Sequence, residues 1–216
     1  MSTKLNNFLY KNAVFLYILF FAAALIAFWP NYFSRIFGNV QTHIHVHGIV
    51  MSLWCIMLIA QATLIRFNSY KWHRRIGKFS YLLAPLIIIS GFHTAHTTLS
   101  GVPVAGPYYY SQIALMFNSL VFFGILYTLA MVNRKKPLIH ARYMICTFLP
   151  MITPVTDRLT YFHFPSYVGL VPTIQGAPTV WLFGFGIANA ILLLLATWDL
   201  LSKKRSYVFL IVLGII

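Results

Sequence analysis

Eight histidines and two aspartates are the side chains of this chain whose types and spacing support chemistry. His43 and His47 stand four apart, and His93 and His96 three apart, so each pair shares one helix face. Neutral imidazole is a ligand for haem iron, copper and zinc, and three or four imidazoles from adjacent helices close a site without carboxylates. His43, His47, His93, His96 and His163 are the candidate metal ligands on this reading, with His47 and His93 at matching depth about one turn inside two adjacent antiparallel helices, and with Asp157 orienting one imidazole and Arg158 beside it. His45 faces the other way and stands outside the set. Two other readings stay open: the same groups handle protons, or they rest at a membrane surface hydrogen-bonded to loops and water.

A second group lies elsewhere in the chain. His73 and His140 fall beside arginines in WHRRIGK and HARYM. Arg74, Arg75 and Arg142 there suit lipid phosphates, or the propionates of a haem b held between His73 and His140. Two such centres would make an electron path across a membrane.

The elements that must position these groups follow from composition. Of 216 residues, 60% are hydrophobic and 8% charged, and the mean hydropathy is +0.78. That is an integral membrane protein whose first partner is the lipid bilayer. Asp157 and Asp199 are the whole acidic inventory, which excludes a metal site built on several carboxylates, and Asp199, near the end of the last apolar run, is placed to reach the interface. The net charge of +14 comes from basic residues in short runs between apolar spans, where orientation in the bilayer explains them and nucleic acid does not. Cys55 and Cys146 lie deep in apolar runs and imply no disulfide.

Six apolar runs are long enough to cross a core of ~30 Å. They predict an all-α, single-domain bundle over residues 1–216, with helices at about 13–33, 43–67, 76–98, 109–132, 140–163 and 179–201. The turn with Arg66, Lys71, Arg74, Arg75 and Lys78, the run Arg134 to Lys136, and Lys203 to Arg205 all fall on one side of this topology. Every Lys and Arg except Arg35 and Arg158 does so, which predicts that both termini face the cytoplasm, in a bacterial inner membrane. Pro150 and Pro154 predict a kink or opened turn in the fifth helix. Gly184 with Ala188, and Gly186 with Ala190, predict close packing of the sixth. The tail 206–216 is too short to span and is either interfacial, packed on the bundle, or an incomplete seventh helix.

The combination of His47-Gly48, Gln61, WHRRIG at 72–77, HARYM at 140–144 and Asp157-Arg158 resembles a family of bacterial multi-helix membrane proteins known only as predicted membrane proteins. The resemblance covers roughly residues 43–160 and implies that His47, His73, His140 and Arg158 rank first among the polar positions. The HR-x-x-G turn is also similar to that of membrane proteins assisting haem-copper oxidase assembly and, more distantly, to haem A synthase. What these likenesses imply is a haem- or metal-binding protein of electron transfer or oxidase biogenesis, with respiratory complex subunits as partners. A proton-linked transporter using Asp157, Arg158 and the interrupted fifth helix is the alternative, and a non-catalytic scaffold subunit a third.

Topology gives the first prediction. Cysteines placed at Ser69 and Lys135 should react with a permeant maleimide only from inside, and cysteines at Pro103 and Gln175 from outside. Labelling of position 69 by an impermeant reagent in intact cells would reverse the assignment.

Overall fold

The computed structural model describes residues 4–100, 106–202 and 206–215. Lys203, Lys204, Arg205 and Pro103, which entered the topology argument, lie outside the described residues. Nine α-helices are described, and six helical spans are long and apolar enough to cross a membrane. The first span is α1 (Lys4–Phe28). It begins nine residues earlier than the apolar run, because the polar start KLNNFLYKN winds as helix too. It stops before Pro30 rather than running to residue 33, since a residue preceding proline is pushed out of the helical region.

The second span, α2 (Thr42–Arg66), matches its prediction to within a residue. The third is longer than expected, because the basic turn is itself a helix: α3 (Tyr70–Gly77) precedes α4 (Ser80–Ser100). Asn68, with φ at +56°, makes the reversal between α2 and α3. The fourth span, α5 (Pro107–Val132), opens on a proline whose missing N–H costs nothing at a helix start.

The fifth span is two helices, α6 (Pro137–Cys146) and α7 (Leu149–His163). Pro150 lacks the N–H that would bond the carbonyl of Cys146, so the lower helix ends there. Pro154 lies within α7. The uncharged loop after it holds a 3-10 turn, Pro165–Leu170, and a two-stranded hairpin that pairs Thr173 with Pro178. Its turn residues Gln175 and Gly176 both have positive φ, at 52° and 77°, as a tight hairpin turn of the primed type requires.

The last span is α8 (Trp181–Leu200). Gly184, Ala188, Leu192 and Ala196 form one buried stripe at four-residue spacing, and α7 lies along it. A Cβ at Gly184 would meet Thr156 Oγ1 and come within 2.5 Å of Thr153 Cα, so only glycine allows this approach. The companion pair is different: Gly186 and Ala190 are exposed, with nothing within 4 Å of a Cβ at Gly186. The tail is α9 (Val208–Ile215), which packs against α8 and α6 with Val208, Phe209 and Val212 buried.

What holds α9 there corrects two expectations. Arg142 was read as a lipid or propionate contact, and Asp199 as a residue able to reach the interface. They are instead an ion pair at 2.6 Å with 3% of each side chain exposed. Arg142 also donates to the Ser206 hydroxyl, and its guanidinium lies 5.3 Å from the centre of the Phe209 ring. Ser206 in turn donates to Asp199 Oδ2 from its backbone N–H (3.3 Å) and its hydroxyl (3.0 Å). Three elements therefore meet on one carboxylate.

Removing that carboxylate leaves a buried guanidinium uncompensated, a loss of about 3–5 kcal/mol. Asp199→Ala should thus lower the unfolding temperature in detergent well below that of Asp157→Ala, whose partner Arg158 has 40% of its side chain exposed. Equal melting of the two variants would contradict the account.

Candidate functional site

The antiparallel register of α2 and α4 decides which histidines meet. His43 is buried and its ring centre lies 5.8 Å from that of His93, edge to face, while the Thr94 hydroxyl donates to the His43 carbonyl at 3.2 Å. One turn deeper, His47 Nδ1 is 3.0 Å from the Ser90 hydroxyl. His47 therefore faces Ser90 and not His93. His96 would need a partner before the start of α2, and it is exposed. His163 is exposed as well, with Nε2 3.0 Å from the carbonyl of Ile26. His45 turns to Tyr32, whose hydroxyl donates to the His45 carbonyl at 3.3 Å. Burial raises the Tyr32 phenol above its ordinary value, so it keeps its proton. Among the described residues no three His, Cys, Asp or Glu side chains gather as a metal group. The convergence expected of His43, His47, His93, His96 and His163 resolves into one ring pair, two separate contacts and an exposed His96, because the helix register differs by a turn from the depth estimate.

What lies below His47 is a cavity. It has a volume of about 250 Å³ and is walled by α2, α4, α5, α7 and the start of α8. His47 enters it from α2, Gln112 and Ser119 from α5, and Asp157, Arg158 and Tyr161 from α7. The Arg158 guanidinium donates to Asp157 Oδ2 and lies 5.8 Å from the centre of the Phe28 ring. Each sign of charge therefore has its partner on the same helix. Asp157 and Arg158 were expected to support outer histidines; they pair with each other and line one cavity with His47, a member of that set. Pro150 and Pro154 form part of the wall, so the interrupted backbone of the fifth span borders the cavity. Irregular helix at membrane depth is tolerated where it is enclosed in this way.

Sequence reasoning passed over Ser90, Gln112 and Ser119. A signal existed for two of them, since Gln112 and Ser119 are seven apart and so share one face of an otherwise apolar helix. Gly91 was also unmarked. A Cβ there would sit 2.5 Å from Leu120 Cδ2 and 3.4 Å from His47 Cε1.

At the cation-rich end the other expected pair does form. The rings of His73 on α3 and His140 on α6 have centres 6.4 Å apart and planes at 83°. His140 Nδ1 is 2.8 Å from the Ala130 carbonyl and can only donate to it, which leaves the lone pair on Nε2. Gln61 of α2 closes the other side: with its amide nitrogen towards His73, it donates to Nδ1 (2.5 Å) and the backbone carbonyl (3.1 Å). Its oxygen then accepts the Gly77 N–H at 3.1 Å. Motif residues Gln61, His73, Gly77 and His140 thus meet from three helices, with Arg74 and Arg75 exposed nearby and Arg142 turned away to Asp199.

The chain matches no family model, no curated protein and no solved structure. Its function is therefore argued from these side chains.

The glycine beside His47 supplies a test of the cavity wall. Gly91→Val should destabilise by about 1–3 kcal/mol through overpacking against Leu120, whereas Gly186→Val on the open face of α8 should be close to neutral. Thermal unfolding of both variants in one detergent decides it, and equal shifts would mean that Gly91 is not part of a packed wall.

Proposed function

We propose that this chain is a membrane carrier that binds a small anionic solute in the cavity below His47 and moves it together with a proton. The observation that supports the reading is that His47 on α2 and the Asp157–Arg158 pair on α7 line one cavity between the spans. Ionisable residues in such a position mark ion and proton pathways, and interrupted helices often border the binding site of carriers.

The chemistry follows from competition for one guanidinium. An incoming carboxylate displaces Asp157 from Arg158, and the freed Asp157 is then an unpaired anion in a largely apolar wall. Taking up a proton removes that charge. One anion and one proton enter together, so the charge of the site does not change. His47 lines the same cavity and is held by Ser90, which suits it to pass the proton to Asp157. On this reading the cation-rich end and both termini face the cytoplasm of a bacterial inner membrane, supported by the partition of the basic residues.

A second reading rests on the His73–His140 pair. Two imidazoles bound to one metal at ~2 Å from each nitrogen have ring centres roughly 6 Å apart, and the 6.4 Å separation is close to this. A ligand imidazole usually has its other nitrogen anchored as a donor, as His140 has on Ala130; His73 accepts from Gln61 at Nδ1 and so carries its proton on Nε2, and it would have to exchange that tautomer to join His140 on a metal. A haem b, or copper, iron or zinc, at this pair would support electron transfer or respiratory oxidase biogenesis. An optical spectrum and metal analysis of purified protein test it directly.

The carrier reading is tested in proteoliposomes. An inward gradient of pyruvate or glycolate should acidify the lumen, read by a trapped pH dye. Arg158→Gln should abolish both fluxes, and Asp157→Asn should retain anion entry while losing proton uptake. Pyruvate or glycolate entry without acidification in the native protein, or no entry of either anion, would refute it.

A further inference from the structure

At the cation-rich end, α4 and α5 are tied together just where both meet the membrane surface. The Ser80 hydroxyl pairs with the Tyr127 hydroxyl at 2.9 Å and donates to the Gly77 carbonyl at 2.6 Å. One residue on, the Tyr81 hydroxyl accepts from the Arg134 guanidinium. These bonds hold Arg134 beside a shallow cleft of about 450 Å³ lined by Met131, Val132, Arg134 and Lys135. Half of that lining is apolar and faces the bilayer, with Val132 73% exposed, and the other half is cationic.

No acidic side chain is free to balance these cations. The sequence holds two, Asp157 and Asp199. Asp157 is bonded to Arg158 at the opposite end, and Asp199 to Arg142 in a buried pair. Neither aspartate therefore pairs with these exposed cations, which leaves them open to an anionic ligand, and one that also covers Met131 and Val132 carries hydrocarbon.

We propose that this cleft is a binding site for an anionic phospholipid, with its phosphodiester against Arg134 and Lys135 and an acyl chain along Met131 and Val132. Tyr81 acts by fixing the guanidinium, and Lys78, three residues before it, adds positive potential at the same helix end. This site is independent of the cavity below His47 and does not rest on the carrier reading.

The test uses the full chain in detergent, titrated with phosphatidylglycerol, phosphatidylcholine or inorganic phosphate, with binding read by native mass spectrometry and by the unfolding temperature. Phosphatidylglycerol should bind and stabilise, and the other two should not. Each cation near an anionic headgroup contributes on the order of a five-fold effect, so Arg134→Gln with Lys135→Gln should weaken binding about thirty-fold. Lys11→Gln with Lys71→Gln removes two cations elsewhere at the same end and should change affinity less than about three-fold. If the first variant does not fold, Lys135→Gln alone should still lose about five-fold. Equal losses in the two double variants would show diffuse attraction only. Phosphate matching the lipid, or phosphatidylcholine binding as well as phosphatidylglycerol, would also overturn the proposal.

Discussion

A chain with sixteen basic residues and two acids has to decide where each carboxylate goes, and the rest of this structure follows from that decision. One is held by its sequence neighbour beside a cavity; the other draws α6 and the segment before α9 onto α8. In lipid, apolar surface does not drive helices together, because acyl chains solvate leucine as well as leucine does. Which helices are neighbours is then settled by close packing and by polar contacts. His47 with Ser90 and Thr94 with His43 join α2 to α4; Ser80 with Tyr127 joins α4 to α5; Arg142 with Asp199 joins α6 to α8. The apolar core fills the space these contacts leave, with Trp54 packed edge-on against Phe123 at 5.1 Å as its largest fully buried side chain.

The interrupted fifth span links the two polar centres. Its lower half, α6, carries His140 and Arg142, and its upper half, α7, carries Asp157 and Arg158. The break at Thr147 and Phe148 follows from Pro150, and Thr147 is fully buried with its hydroxyl donating to the Met144 carbonyl at 2.6 Å. The freed backbone is thus partly satisfied locally, which lowers the cost of an opened turn inside the bilayer. The two halves are joined at one short segment, so a tilt of α7 changes the cavity while α6 stays anchored by its ion pair. Such a pivot is what the proposed carrier function would require to open its site.

Much of the fold was legible because lipid imposes a simple rule on composition. Six spans, the packed face Gly184 and Ala188, and the interruption at Pro150 are all visible as residue types at fixed spacing. The helical basic turn Tyr70–Gly77 was not, since its amphipathic pattern lies within eight residues and merges with the apolar run that follows. Of the site, the convergence of His73 with His140 was readable from their matching positions at helix starts. The placement of His47 was missed by one turn, because a depth estimate counts rise along each helix and does not fix the register between two of them. Asp199 was misread for a related reason: a carboxylate near a helix end looks exposed until the segment after it folds back.

That fold-back has a temporal side. Ser206 and Phe209 follow all six spans in the chain, so Arg142 acquires its full set of contacts only when the last helix has left the ribosome and docked. Until then a buried guanidinium and its carboxylate share a pocket without their lid. The eight residues of α9 thereby cover the Arg142–Asp199 pair only after the helices that carry it have been made.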